Sequence, residues 1–230
     1  MSQNLNTIPS LKGLPFAPSW DFKPRIFLNQ VSKSFGQKLI IKKATIDISG
    51  GTLLALIGPS GSGKSTVLEI MAKVIAPDQG QVQRLGEASL MFQDNALMPW
   101  LNALGNLTFI ANPKIKTSQA TSNALAWLDI FGLDPFVFPG AMSGGMRRRL
   151  SLARTMSASR PIVLLDEPLA FLDEAWHDLI SELIANEVNR GSIVVMTGHF
   201  TPDPLVRQLG DKFKLLEVVA PVDIEFISGR

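Results

Sequence analysis

The 230-residue chain is 46% hydrophobic, 18% charged and 7% aromatic, with 18 glycines and 15 prolines, the make-up of a globular protein long enough to bury a core unaided. It has no cysteine, which excludes disulfide scaffolds, Cys-ligated zinc, iron–sulfur clusters and thiol catalysis. Its 22 basic and 20 acidic side chains leave a net charge of +2, from which no nucleic-acid partner follows, and no apolar run approaches the roughly 18 residues of a membrane-spanning helix.

Residues 1–24 carry Pro9, Pro15, Pro18 and Pro24 among polar residues. Without the basic start and apolar stretch of a secretory signal, they read as an irregular arm, synthesised and kept inside, ahead of a single domain over 25–230. Short β-type runs follow at Arg25 to Val31, Leu39 to Ile48 and Thr52 to Ile57, with turn material at Ser34-Phe35-Gly36 and Ser49-Gly50-Gly51. Leu53 to Ile57 shows no polar alternation, which predicts a strand covered on both faces. A glycine-rich loop comes next. Thr66 to Val74 then reads as a helix with Val67, Leu68, Met71 and Val74 on one face.

Val82 to Arg84 and Ala88 to Phe92 give two more strands, the second ending at Gln93. Segment 94–142, punctuated by Pro99, Pro113, Pro135 and Pro139, is predicted to be a mostly helical insertion, with a helix over Ser118 to Phe131 that turns Ala124, Leu125, Leu128 and Phe131 to one side. Ser143 is placed to N-cap a helix running through Leu150, Ala153 and Thr155. Ile162 to Leu165 is a second fully apolar strand, ended by Asp166-Glu167-Pro168. A helix from Asp173 to Asn189, a strand from Ile193 to Met196 and two short strands between Lys214 and Ile227 complete an α/β order.

The loop Gly58-Pro59-Ser60-Gly61-Ser62-Gly63-Lys64-Ser65-Thr66 has the spacing of a phosphate-binding loop, in the strand-to-helix context that pattern requires. Glycines let successive backbone N–H groups turn onto phosphate oxygens and the helix start adds positive potential. Lys64 reaches the β and γ phosphates, and the Ser65 hydroxyl takes one Mg²⁺ position. The loop alone leaves kinases, GTPases, recombinase-like motors and transport ATPases open. Asp166 follows Lys64 by 102 residues, far enough to end a separate strand of the same sheet. A carboxylate there can hold hydrated Mg²⁺, and Glu167 beside it can polarise water toward the γ-phosphate, which suits hydrolysis more than transfer.

Met142-Ser143-Gly144-Gly145-Met146-Arg147-Arg148-Arg149-Leu150 resembles the signature motif of ABC-type ATPases, with Met at its fifth place. The competing reading is a Ser-capped glycine turn leading an Arg-rich solvated helix. The resemblance covers roughly Arg25 to Glu217 and implies an α/β P-loop NTPase: a RecA-like core sheet with helices, an N-terminal antiparallel β subdomain and a small helical subdomain carrying the signature. It implies ATP and Mg²⁺ as cofactors. It also implies a homodimer, paired head to tail, in which Ser143, Gly144 and Gly145 of one chain close on the γ-phosphate held by the other.

Residue by residue, the resemblance makes Phe35 the ring that stacks on adenine, Gln93 the glutamine that ligands Mg²⁺ beside Ser65 and Asp166, and Asp173 the aspartate that crosses the dimer interface. Glu167, His199 and Gln93 become the residues of the hydrolytic step. His199 departs from the family pattern, since Gly198 separates it from Thr197 and Phe200 stands where an acidic residue is usual. His177 reads as a solvated helical residue. Ser143 follows Gln93 by 50 residues, a short helical subdomain for the family, and no regulatory domain is expected after the core.

Gln93-Asp94-Asn95-Ala96-Leu97-Met98-Pro99-Trp100-Leu101, followed by Leu104-Gly105-Asn106-Leu107, is similar to ATP-binding subunits of nitrate, sulfonate and taurine importers. That likeness implies a peripheral protein on the cytoplasmic face of the inner membrane, working with transmembrane permease subunits and an extracytoplasmic solute-binding protein. Trp100, Phe109, Phe131, Phe136 and Phe138 are candidates for the groove that receives the permease, with core packing as their other use. Two alternatives stand beside this: a P-loop kinase of a small molecule or protein, and a nucleotide-binding regulatory module with little turnover.

Overall fold

The computed structural model describes residues 20–111, 116–199 and 203–227; most of the arm, and Phe200, lie outside them. Two sheets make the frame. Strands β1 (Arg25–Phe35), β2 (Lys38–Ser49) and β4 (Gln79–Leu85) pair antiparallel, and the short β9 (Glu225–Ile227) adds in parallel beside β2. Strands β3 (Thr52–Ile57), β5 (Ala88–Met91), β6 (Ile162–Leu165), β7 (Ile193–Gly198) and β8 (Phe213–Glu217) form a parallel sheet in the order β5-β6-β7-β3-β8. The two short strands expected near the end of the chain therefore serve different sheets. β1 runs past the expected limit at Val31, through two irregularities of register, to Phe35, and the expected turn falls at Gly36-Gln37.

The uniformly apolar strands are buried on both faces, as their patterns predict. Leu54 and Leu56 of β3, Ile162 and Leu164 of β6 and Ile193 and Val195 of β7 point into a core shared with the antiparallel sheet and helix α1 (Lys64–Ala72). Their alternate neighbours Leu53, Ala55, Val163, Leu165, Val194 and Met196 point the other way. There they meet α3 (Thr117–Ile130), α4 (Gly144–Ser157) and α5 (Glu174–Asn189). Two further short helices, α2 (Ala103–Phe109) and α6 (Asp203–Leu209), pack around this side; α6 has no counterpart in the sequence reading.

Two expected core positions are exposed. Val74 lies beyond the end of α1, which stops where Lys73 turns left-handed. Leu125 faces solvent because α3 packs through Ala124, Trp127, Leu128 and Phe131. Phe131 lies stacked between Trp127 and Trp176, at centroid separations of 6.4 and 6.1 Å, and Arg149 caps Trp176 at 4.4 Å. It is core, so it leaves the set of candidate groove residues. This aromatic stack joins α3, α4 and α5.

Candidate functional site

The site forms at the carboxyl ends of the parallel strands, where open α/β sheets bind their ligands. The register pairs Ile57 with Gly198, Leu56 with Thr197, and Leu165 with Met196. With β7 lying between β3 and β6, the loop after β3 and the carboxylates after β6 open on the same edge.

Close packing shapes the phosphate loop. A Cβ on Gly58 (φ +154°) would lie 2.2 Å from the Val218 carbonyl oxygen, and one on Gly63 (φ +101°) 2.8 Å from Ile40 Cγ2. Only glycine fits either place. The second contact also seats the loop against β2, so the antiparallel sheet braces the start of α1. Lys64 is buried, and its Nζ donates to the carbonyls of Gly58 and Pro59 at 2.7 and 2.9 Å. Pro59, Ser60 and Gly61 face solvent, Ser65 and Thr66 are half-buried, and the Ser62 hydroxyl is buried without a partner among the described residues.

Thr197 organises the carboxylates. Its hydroxyl donates to Asp166 Oδ1 at 2.5 Å and accepts from the Glu167 backbone N–H at 2.8 Å. Glu167 has φ +51°, a conformation that costs a residue with a Cβ on the order of 1–3 kcal/mol and concentrates at functional sites. The side chain gathers partners at its tip. Gln93 Nε2 donates to Oε2 at 3.5 Å and His199 Nε2 lies 3.6 Å from Oε1. The extra Gly198 therefore does not carry His199 away, because β7 extends through Gly198 and Thr197 takes a buried bridging place of its own.

Ser143 caps α4 as expected, its Oγ accepting from Met146 N–H at 3.2 Å. A Cβ on Gly144 would meet nothing within 4 Å and one on Gly145 would lie 3.6 Å from the Phe171 carbonyl oxygen, so the turn offers open backbone. No described contact joins it to the phosphate loop of its own chain. Asp173 holds the N-cap position of α5 in extended conformation, exposed and without a side-chain cap bond. Phe35 is half-exposed at the hairpin end of β1, with Lys33 Nζ 5.7 Å from its ring centre. His177 is half-buried, with Nε2 3.2 Å from the Leu169 carbonyl oxygen, which corrects the solvated reading.

Two residues of this region escape the sequence reading. Thr197 falls just past the apolar strand read from Ile193 to Met196, with no role of its own. Arg148 looks like part of an exposed basic run, yet it is 2% exposed. Burial pushes its guanidinium below the ordinary arginine value, and the nearby Asp166 and Glu167 oppose that shift. Arg148 belongs with Ser151, Arg154 and Thr155, all buried, to a polar stripe of helical spacing along α4, and that spacing is the signal the sequence offered.

The residues fit a nucleoside triphosphate with a divalent ion. The Lys64 ammonium, the partnerless Ser62 hydroxyl and the exposed loop suit phosphate oxygens. Ser65, Gln93 and Asp166 are hard oxygen donors of the kind Mg²⁺ takes. Among the described residues no three His, Cys, Asp or Glu side chains could hold a metal by themselves, so an ion here would draw part of its shell from phosphate, as Mg²⁺ commonly does.

Known proteins resemble the chain in sequence and in fold. The family model described as ABC transporter matches residues 41–170. The taurine import ATP-binding protein TauB of Pseudomonas aeruginosa is 35% identical over 175 residues, covering 70% of this chain and 66% of its own length. The aliphatic sulfonates import ATP-binding protein SsuB of Corynebacterium glutamicum is 34% identical over 177 residues, covering 76% and 73%. Among solved structures, the dimeric structure of MJ0796, a bacterial ABC transporter cassette, superposes with a TM-score of 0.72 at 27% identity over 84% of this chain and 94% of that one. A post-hydrolysis dimer of MJ0796 bound to ADP and Pi shares the fold, with a TM-score of 0.73 at 24% identity over 88% and 96%.

Proposed function

Because the chain belongs to the ABC transporter family, we propose that it is the ATP-hydrolysing subunit of an importer for a small anion of the sulfonate, taurine or nitrate kind. The observation that carries this reading is the convergence on one sheet edge of the Lys64 loop and a strained Glu167 bridged to Asp166 by Thr197. Mg-ATP supplies the phosphoanhydride bond that water cleaves. Lys64 would exchange its loop carbonyls for β and γ phosphate oxygens, and Ser65, Asp166 and Gln93 would hold the ion. Glu167 takes the proton of the attacking water, with Gln93 and His199 orienting its carboxylate. Phe35 stacks on the adenine.

Two copies work together, as in the dimeric cassette structure. Head-to-tail pairing brings Ser143, Gly144 and Gly145, with their open backbone, onto the partner's γ-phosphate, and Asp173 to the interface. A separate permease forms the path and a solute-binding protein delivers the solute outside; among the described residues no helix is long and apolar enough to cross a membrane. Trp100, Phe109, Phe136 and Phe138 are exposed around the helical insertion, an apolar surface suited to permease helices, with the subunit peripheral on the cytoplasmic face.

Phosphate release from ATP in buffer without any acceptor tests the reading, since a kinase needs an acceptor and a regulatory module turns over little. Glu167→Gln keeps shape and hydrogen-bonding reach but removes the base, so kcat falls by roughly 10²–10⁴ while ATP binding persists. Unchanged steady-state hydrolysis in this variant removes Glu167 from the mechanism.

A further inference from the structure

The geometry points to Arg148 as a positioning residue, one that locks the segments bearing Gln93 and Glu167 to helix α4 and so holds the glutamate ready for water. Its Nη2 donates to the carbonyls of both Asp166 and Glu167. Its Nη1 reaches the carbonyls of Phe92 and Gln93 at 3.2 and 3.1 Å and the side-chain oxygen of Asn95 at 3.1 Å. One rigid, planar fork thus clamps the backbone of the two residues whose side chains meet at 3.5 Å.

The rest of the α4 stripe serves the same grip. Asn95 and Ala96 have φ of +67° and +43°. That turn is pinned by Ser151 Oγ and Arg154 Nη2 donating to the Asn95 carbonyl, at 3.1 and 2.9 Å, and by Arg154 Nη1 donating to the Ala96 carbonyl at 2.7 Å. The opposite end of the clamp is strained as well, at Glu167, whose N–H is held by Thr197. Arg148 pays for this place, since its Nε is buried without a partner among the described residues and packing alone would favour an apolar side chain there. Two strained turns tied by one buried cation make a device for placing a carboxylate rather than for filling volume.

This role rests on the reading of Glu167 as the group that activates water. The purified full chain is compared with Arg148→Lys, Arg148→Gln and Asn95→Gly by equilibrium binding of a fluorescent ATP analogue, with its stoichiometry, and by steady-state phosphate release. Lysine keeps the charge without the fork, and the glycine accepts the φ of residue 95 while removing one partner of the guanidinium. In both Arg148 variants kcat falls about 10²-fold, the scale of a misplaced catalytic group, while KM, affinity and stoichiometry stay within about threefold. Asn95→Gly shows a smaller kcat loss of the same kind.

Loss of fold removes binding sites and turnover together, so stoichiometry separates it from misplacement, and Asn95→Gly decides the case if neither Arg148 variant folds. Parental kcat in the folded Arg148 variants, or in Asn95→Gly where those do not fold, overturns the proposal. A proportional fall of affinity and kcat overturns it too, because the clamp would then serve nucleotide binding. A parent chain that binds ATP without hydrolysing it overturns the reading of Glu167 and takes this role with it.

Discussion

Thr197 shows how much one buried hydroxyl carries. A strand residue of valine shape would pack equally well at that place, but valine neither donates to Asp166 nor accepts from the Glu167 N–H. Thr197→Val is therefore expected to lower stability by about 1–3 kcal/mol, the cost of leaving buried polar groups unpaired. It should also lower kcat about tenfold or more by releasing the strained glutamate. Thermal melts and steady-state hydrolysis on the same samples check both effects. A variant that melts lower yet turns over at the parental kcat would confine Thr197 to packing.

At the scale of elements, the far end of α5 holds a second buried polar group with no part in the chemistry above. Glu187 is 1% exposed and accepts from Arg190 Nε at 2.7 Å and Ser192 Oγ at 2.9 Å. Trp20 joins the cluster by donating to Ser192 Oγ at 3.1 Å and lying under the Arg190 guanidinium. Burial pushes the Glu187 carboxyl above the ordinary carboxylate range, against the opposing pull of Arg190 and Ser192. A raised carboxyl pKa in the fold contributes stability that is full below the unfolded-chain value and lost as pH rises through the folded value. Glu187→Gln removes that titration. The parent's melting temperature relative to the variant's is therefore expected to fall as pH is raised from the acid side through the raised pKa, and a difference independent of pH would sink this account.

For the whole molecule the question is where the Ser143 turn acts. It has open backbone, and on the proposed head-to-tail pairing a second chain supplies the phosphate it meets. Ser143→Arg fills that docking space and leaves Lys64 and Ser65 intact, so nucleotide binding persists while hydrolysis is lost. Heterodimers separate the arrangements. With Lys64→Ala in one chain and Ser143→Arg in its partner, both defects fall in one composite site and the other is intact, so hydrolysis remains. With both changes in one chain beside a parental partner, each site has one defect and hydrolysis is lost. Activity in the second pairing and not the first would mean that Ser143 serves its own chain's nucleotide.

The glycine spacing before Lys64, the apolar run ending at Asp166-Glu167 and the Ser143-Gly144-Gly145 helix start are local patterns; the first two read directly as a phosphate loop and a carboxylate pair, while the third suggests phosphate docking through its resemblance to a signature motif. The alternation of buried faces in β3, β6 and β7 was legible for the same reason, since a strand without polar positions has no face to offer water. Tertiary structure decided what depends on neighbours distant in the chain. Ile193 to Met196 reads as apolar core, yet Thr197 just beyond it links the Asp166 carboxylate to the Glu167 backbone N–H because β7 lies beside β6 in the sheet. Arg148 reads as surface charge, yet carbonyls from two strand ends surround it. Phe131 reads as a candidate for a groove, but α5 brings Trp176 onto its other face. Composition and spacing record what a residue can do, whereas burial and hydrogen-bond partners are properties of the packed elements, and these set the orientation and strain of the site.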